Sequence, residues 1–209
     1  MGVDVNTLAE EQRKLAEKIV NSDCFDAVKT IGGCSLSLYN QEVFCSIAVL
    51  NAKDHSLIEV SVSKAKTGIP YIPGFLFYRE GRAILDAYRK LDVKPDILIV
   101  EGDGILHSRR IGIAAHVGLV LDVPTIGIAK KIHVGEIVDN TVIMDKEVRA
   151  KIIQTRKHAN PLFISPGHRI SLEKSLEIIK KLIKPPHKLP EPNHIAHKHV
   201  RKKVKKEQE

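Results

Sequence analysis

A mixed α/β sheet, with three antiparallel strands leading into parallel βαβ units and helices on both faces, is predicted by three observations. Near the N-terminus lie three β-prone runs, residues 30–38, 43–51 and 56–63, the last of which (SLIEVSVS) alternates apolar and polar side chains. Further on the period changes. Continuous apolar runs at 96–100 (DILIV) and 125–129 (TIGIA) alternate with helical patterns, as strands do when helices cover both faces of a parallel sheet. Finally, 209 residues with 43% hydrophobic and 28% charged side chains suit a single globular domain, whose core must be aliphatic because aromatic residues make up only 4% and Trp is absent.

In chain order, Thr7 and Glu10 have capping-box spacing ahead of an opening helix in which Leu8, Leu15, Ile19 and Val20 share a face. The three strands follow as a meander, with Tyr39-Asn40-Gln41-Glu42 as the first connection. A helix at 80–91, the buried strand at 96–100, an apolar helix at 111–121 and the buried strand at 125–129 come next. A short strand at 161–165 (PLFIS) and a helix at 171–183 close the core. Lys184-Pro185-Pro186 breaks regular structure, so residues 1–186 are expected to form one domain and 187–209 a basic C-terminal arm or tail. This order is that of a ribonuclease-H-like fold, although periodicity alone describes other mixed α/β domains equally well.

Lys and Arg outnumber Asp and Glu by 33 to 25, giving a net charge of +8 and favouring a polyanionic partner. Much of that excess lies in the terminal KHVRKKVKK run, which by itself reads as a solvated tail. Cys24, Cys34 and Cys45 form neither a CxxC pair nor an even set, so a reducing, cytoplasmic setting is expected. No apolar leader or membrane-spanning run is present in the sequence, and no membrane partner is expected.

Sites in open α/β sheets lie beyond the carboxyl ends of the parallel strands. Beyond Val100 comes Glu101-Gly102-Asp103-Gly104-Ile105-Leu106-His107-Ser108-Arg109-Arg110, and beyond Ala129 comes Lys130. A carboxylate at a strand end can bind Mg²⁺, glycines admit close approach of a base or phosphate, and an ammonium can neutralise phosphate charge. A Gly-Asp-Gly turn with a solvated basic patch explains the same loop as well. Pro70-Tyr71-Ile72-Pro73-Gly74 is a stiff loop carrying an aromatic ring, suited to wedging into a base stack or simply to packing on the core.

Together, PYIPGFLFYREG, VEGDGILHSRRIGIAAHVGL, PTIGIAK and FISPGHRISLEKSLE, in this order, resemble the signature blocks of the endonuclease V family, over about residues 31–192. The resemblance implies a ribonuclease-H-like fold and hydrolysis of a phosphodiester bond 3′ to inosine in DNA or RNA, with Mg²⁺ or Mn²⁺ as cofactor. A monomer is expected. It further implies that Pro70, Tyr71, Ile72 and Pro73 form a strand-separating wedge and that Gly74, Leu76, Gly102 and Gly104 line a pocket for the extruded base. Arg109 and Arg110 then join the nucleic-acid contacts, and Glu80, Glu101, His107, Lys130 and His168 occupy active-site positions.

The metal set carried over in this way is Glu101, Ser35 and Glu80. Where the family has Gly-x-Asp-x-Ser, this chain has Gly33-Cys34-Ser35-Leu36-Ser37, and where it has its second aspartate, this chain has Glu101. A hydroxyl binds Mg²⁺ far less well than a carboxylate. Two readings follow: a working nuclease holding metal with Glu101 and Glu80, with Asp103 as a candidate replacement, or a homologue that binds deaminated or distorted nucleic acid without cutting it. His187, His194, His197 and His199 read as a scattered, solvated set in the tail.

Overall fold

The computed structural model describes residues 3–156 and 159–208. Helix α1 (Val5–Ala16) is capped by Asp4, whose carboxylate accepts from the N–H groups of Asn6 and Thr7. The start of this helix is therefore an aspartate cap rather than the expected Thr7–Glu10 box. Strands β1 (Thr30–Tyr39), β2 (Glu42–Asn51) and β3 (Leu57–Lys66) form the antiparallel meander. Asn40 and Gln41 both have positive φ (47° and 59°), the two-residue turn that follows strand twist.

Helix α2 (Leu76–Lys90) begins four residues before the sequence pattern suggested, so Glu80 lies in its second turn and not at its start. Strand β4 (Ile97–Glu101), helix α3 (Ile113–Leu121) and strand β5 (Thr125–Ala129) complete the parallel part, with β1, β4 and β5 side by side. Three strands were not anticipated: β6 (Glu136–Val138), β7 (Thr141–Met144) and β8 (Glu147–Ile153). β6 and β7 are short, β6 is exposed along its whole length, and β8 (EVRAKII) is interrupted by charged residues, so they lack the buried apolar run that marks a strand in sequence. Strand β9 (Leu162–His168) pairs antiparallel with β5 and β8, giving one nine-stranded sheet in the order β3-β2-β1-β4-β5-β9-β8-β7-β6.

Alternation along β1 and β4 divides the core. Cys34, Leu98 and Val100 face α2 and α3, while Ile31, Ile97 and Ile99 face the side covered by helix α4 (Leu172–Leu182). Helix α5 (Glu191–Gln208) lies on that second face against β1 and β2. Its inner stripe is Ala196, Val200 and Val204, spaced by four, and the two valines pack on Phe44. Burying a side chain of this kind is worth about 1.5–3 kcal/mol, enough to hold a helix whose outer face is entirely polar. The start of α5 is set by Gly33, where a Cβ would come within 2.3 Å of the Pro192 and Asn193 backbone. Buried Asn193 then donates to the carbonyls of Cys34 and Ile99, both at 3.1 Å, tying β1 to β4.

Candidate active site

The parallel strands end together. Cys34 is paired with Val100, so Ser35 and Glu101 fall on the next row, and Lys130 follows the end of β5. Glu101 Oε2 is 2.7 Å from Lys130 Nζ, whereas Oε1 is buried without a partner. A buried, unsatisfied carboxylate oxygen is costly unless a cation or donor meets it. Glu80, on α2, is not among the residues lining the neighbouring cavity; burial pushes its carboxyl above the usual range, only partly offset by the Arg79 guanidinium at 3.7 Å.

Ser35 is fully buried, with Oγ 3.2 Å from His197 Nδ1. Burial lowers the pKa of His197, with Glu101 the largest opposing influence, so a neutral imidazole stands beside the carboxylate. Cys34 points to the other face as strand alternation requires. There it lies 3.5 Å from Cys45, and that contact, burial and then the Glu101 and Glu80 charges hold its thiol well above the ordinary range. Among the described residues, no three His, Cys, Asp or Glu side chains are gathered closely enough to hold a metal ion by themselves.

Beside these groups opens a cavity of about 770 Å³, running from Tyr71, Leu76 and Phe77 past Gly102, Asp103 and Ile113 to Glu101 and Lys130. Its floor needs Gly102: φ is 141°, and a Cβ would lie 2.4 Å from Ile113. The Asp103 carbonyl accepts from Ala114 N–H at 2.9 Å, while its carboxyl lines the wall, and burial pushes that carboxyl up to about 6 against the opposing influence of His133. Gly104 N–H donates to Ser165 Oγ at 2.8 Å, fixing the loop to β9.

The Pro70–Gly74 loop is anchored at one atom. The Gly74 carbonyl accepts from Gln12 Nε2 at 3.1 Å, His107 Nε2 at 3.0 Å and Arg109 Nη2 at 2.9 Å. His107 Nδ1 accepts from the Arg109 N–H at 3.2 Å, so both ring nitrogens are engaged and the neutral Nε2–H tautomer fits. Burial accordingly lowers its pKa to about 4. Tyr71, at the tip of this loop, is 62% exposed, with the Arg79 guanidinium 5.5 Å from its ring centre.

The fold thus brings Tyr71, Ile72, Pro73, Gly74, Leu76, Gly102, His107, Glu101 and Lys130 to one cavity. Other expected contacts are committed elsewhere. Arg109 stacks on Phe75 at 4.3 Å and donates to Gln12, while Arg110 pairs with Glu147 at 2.7 Å. His168 is not gathered at the site. It is paired with Thr125, at the start of β5, roughly 16 Å along the strand from Lys130. Its Nδ1 accepts from Val20 N–H, and Nε2 faces Asp122 at 3.8 Å, so it holds the segment after α1 to the sheet. His197, in contrast, read as a solvated tail residue, packs against Ser35 near the Glu101 and Lys130 charges. The available signal was the spacing of Ala196, Val200 and Val204, which makes 191–208 an amphipathic helix with His197 next to its buried stripe. Gln12 carried no local signal, because its partners lie 62 and 97 positions away.

The endonuclease V family model matches residues 13–198. Endonuclease V of Dictyoglomus thermophilum is 41% identical over 199 residues, covering 91% of this chain and 87% of the relative. The crystal structure of endonuclease V from Bacillus subtilis superposes with a TM-score of 0.91 at 31% identity, covering all of this chain and 94% of that one. That of Ciona intestinalis endonuclease V, in complex with a 24mer DNA containing an inosine followed by a ribo-adenosine, gives 0.85 at 27% identity over 97% of this chain and 98% of that one. The nine-stranded sheet is accordingly a ribonuclease-H-like one, and the chain belongs to the endonuclease V family of nucleases.

Proposed function

We propose that this nuclease hydrolyses the phosphodiester bond 3′ to a deaminated base, inosine, in DNA or RNA, as a repair activity dependent on Mg²⁺ or Mn²⁺. The observation that carries the reading is the continuity of one cavity from the exposed Tyr71 to the Glu101–Lys130 pair. A base taken from its stack enters between Leu76, Phe77 and Gly102, while Tyr71 occupies the place it left. Its backbone is then drawn toward the strand ends. Supporting the inosine specificity is the Ciona relative's bound DNA.

The orphaned Glu101 Oε1 and the poorly partnered Glu80 are the donors that fit a hard divalent cation. Glu101 and Glu80 would hold it, with water and phosphate oxygens as the remaining ligands. Such a cation, when bound, supplies activation of water and charge stabilisation at phosphorus. Lys130 neutralises charge on the phosphate. His107 positions the wedge loop through Gly74 rather than contacting the phosphate.

A second reading, recognition without cutting, is favoured by one observation: the neutral Ser35–His197 pair where the family pattern has a carboxylate. The two are separated by incubating end-labelled strands carrying one inosine, as duplex DNA, single-stranded DNA and RNA, with Mg²⁺ or Mn²⁺, alongside Glu101→Ala. A cut near inosine that the variant loses establishes the nuclease; tight inosine-dependent binding with no cut in any substrate establishes the binder.

A further inference from the structure

Helix α5 carries more positive charge than its packing uses. On one flank Lys203 pairs with Glu207 at 3.0 Å, Glu207 with Lys64 at 3.0 Å, and Lys64 with Glu42 at 2.8 Å, so that side is neutralised against β2 and β3. On the other flank Lys198, Arg201 and Lys205 are exposed and form no ion pair among the described residues. Their spacings of three and four residues place one cation per turn, about every 5.4 Å, on a single side of the helix.

That flank borders the active site. His197, inside the site, feels Arg201 and Lys130 as neighbouring cations, and His194 feels Lys198. Lys188, just before α5, in turn feels Lys130 and Arg156. Beyond the Lys130–Glu101 pair and the neutral His197, cations unpaired among the described residues therefore continue along α5 at Lys198, Arg201 and Lys205. The apolar stripe of the helix is spent on Phe44, leaving no apolar face for a bilayer interface, which an amphipathic membrane helix needs. A polyanion that makes only charge contacts is the complementary partner.

We propose that Lys198, Arg201 and Lys205 form a phosphate track that holds the nucleic-acid backbone, without regard to base, where the strand leaves the Glu101–His197 centre. This rests on the nuclease reading for the identity of the strand but not for its mechanism. Counterion release makes such contacts measurable, since each phosphate neutralised contributes roughly 0.7 to 0.9 to the slope of log K against log salt.

The test uses the full-length protein with Lys198→Gln, Arg201→Gln and Lys205→Gln combined, and binding of matched oligonucleotides with and without inosine measured from low to high salt. The expected result is a slope shallower by about 2 to 3 and an affinity reduced about tenfold or more at low salt, equally for both oligonucleotides. Cleavage at saturating substrate should be unchanged. An unaltered slope overturns the track. So does a loss of slope in Lys203→Gln, on the neutralised flank, about one third as large as that of the triple variant, because that would reduce the effect to net charge. Loss of binding to anionic phospholipid vesicles with oligonucleotide binding intact likewise overturns it in favour of a membrane partner. Should the unmodified protein show no preference for inosine while the triple variant still loses slope, the substrate reading fails and the track stands.

Discussion

The two sides of the sheet meet at the same strand ends but are built from different materials. On the α2–α3 side, the cavity is shaped by glycines, a rigid proline loop and a backbone carbonyl with three donors. On the α4–α5 side, the outcome depends on a few side chains: Glu101, Lys130, Ser35 and His197. Shape made by backbone is preserved by many local contacts, whereas chemistry resting on individual charges changes with one substitution. The side with the individual charges is also where this chain has Ser35 and Glu101 at positions for which the family resemblance implies aspartates. Variants should therefore separate the two sides.

The largest effect is expected from Glu101→Gln, which keeps the shape and removes the charge that holds Lys130. Cleavage should fall by about 10³-fold, while the preference for inosine in binding is retained. Comparable loss of both would show that the two sides are one unit.

Next in size is acid sensitivity on the recognition side. Burial lowers both His107 and His116, the latter in α3 with its ring stacked at 3.6 Å on Phe77 of the cavity wall, to about 4, against 6.5 for an exposed imidazole. Because the folded values lie below the unfolded ones, both rings are neutral in the native state; their contribution is complete above pH 6.5 and lost as pH falls from 6.5 toward 4. Each shift corresponds to about 3 kcal/mol by pH 4. Urea unfolding at pH 7, 5.5 and 4 should show stability falling through this window, and a flat profile would mean that these rings are more open to water than their packing indicates.

A smaller change is expected at the cavity mouth. Tyr71→Ala should reduce the affinity difference between inosine-containing and plain strands by about 2 kcal/mol, the scale of one base–aromatic contact. The chemical step on bound substrate should stay within a few-fold. A slower chemical step with undiminished discrimination would move Tyr71 out of the wedge role.

The same contrast decides what could be read in the sequence. β5 was legible to the residue and β1, β2, β3 and β4 nearly so, because alternation and continuous apolar runs are local. The cavity loops were legible as blocks of consecutive residues. Glu101 and Lys130 could be placed because each ends a buried strand. His197 could not, since the polar run 196–206 (AHKHVRKKVKK) hides a three-residue apolar stripe and its partner Ser35 is 162 positions away. The family resemblance alone assigns His168 to the site, with no local signal for its position; β9 runs antiparallel to β5, so this last residue of β9 lies beside the start of β5. Arg109 and Arg110 looked like free phosphate ligands until their partners Gln12 and Glu147, neither with any local signal, were seen.

The smallest expected change sharpens the comparison most. In Ser35→Asp a carboxylate enters a fully buried position next to His197 Nδ1 and one strand away from Glu101. Without a cation, two neighbouring carboxylates repel, and desolvation of the new charge is met only by the imidazole, which should hold its proton more tightly as a result. The variant should therefore be less stable than the parent in chelator. Adding Mg²⁺ should restore it, because binding to the folded state alone stabilises by mass action. Cleavage should rise about tenfold, the scale on which a better supporting ligand changes a metal site. A Mg²⁺-dependent rise in melting temperature accompanied by faster cutting would show that the chemical side is limited by its missing charge. If melting and cutting are both indifferent to Mg²⁺, Ser35 and His197 are not at the metal, and the α4–α5 side would have to be reassigned from chemistry to support of the strand ends.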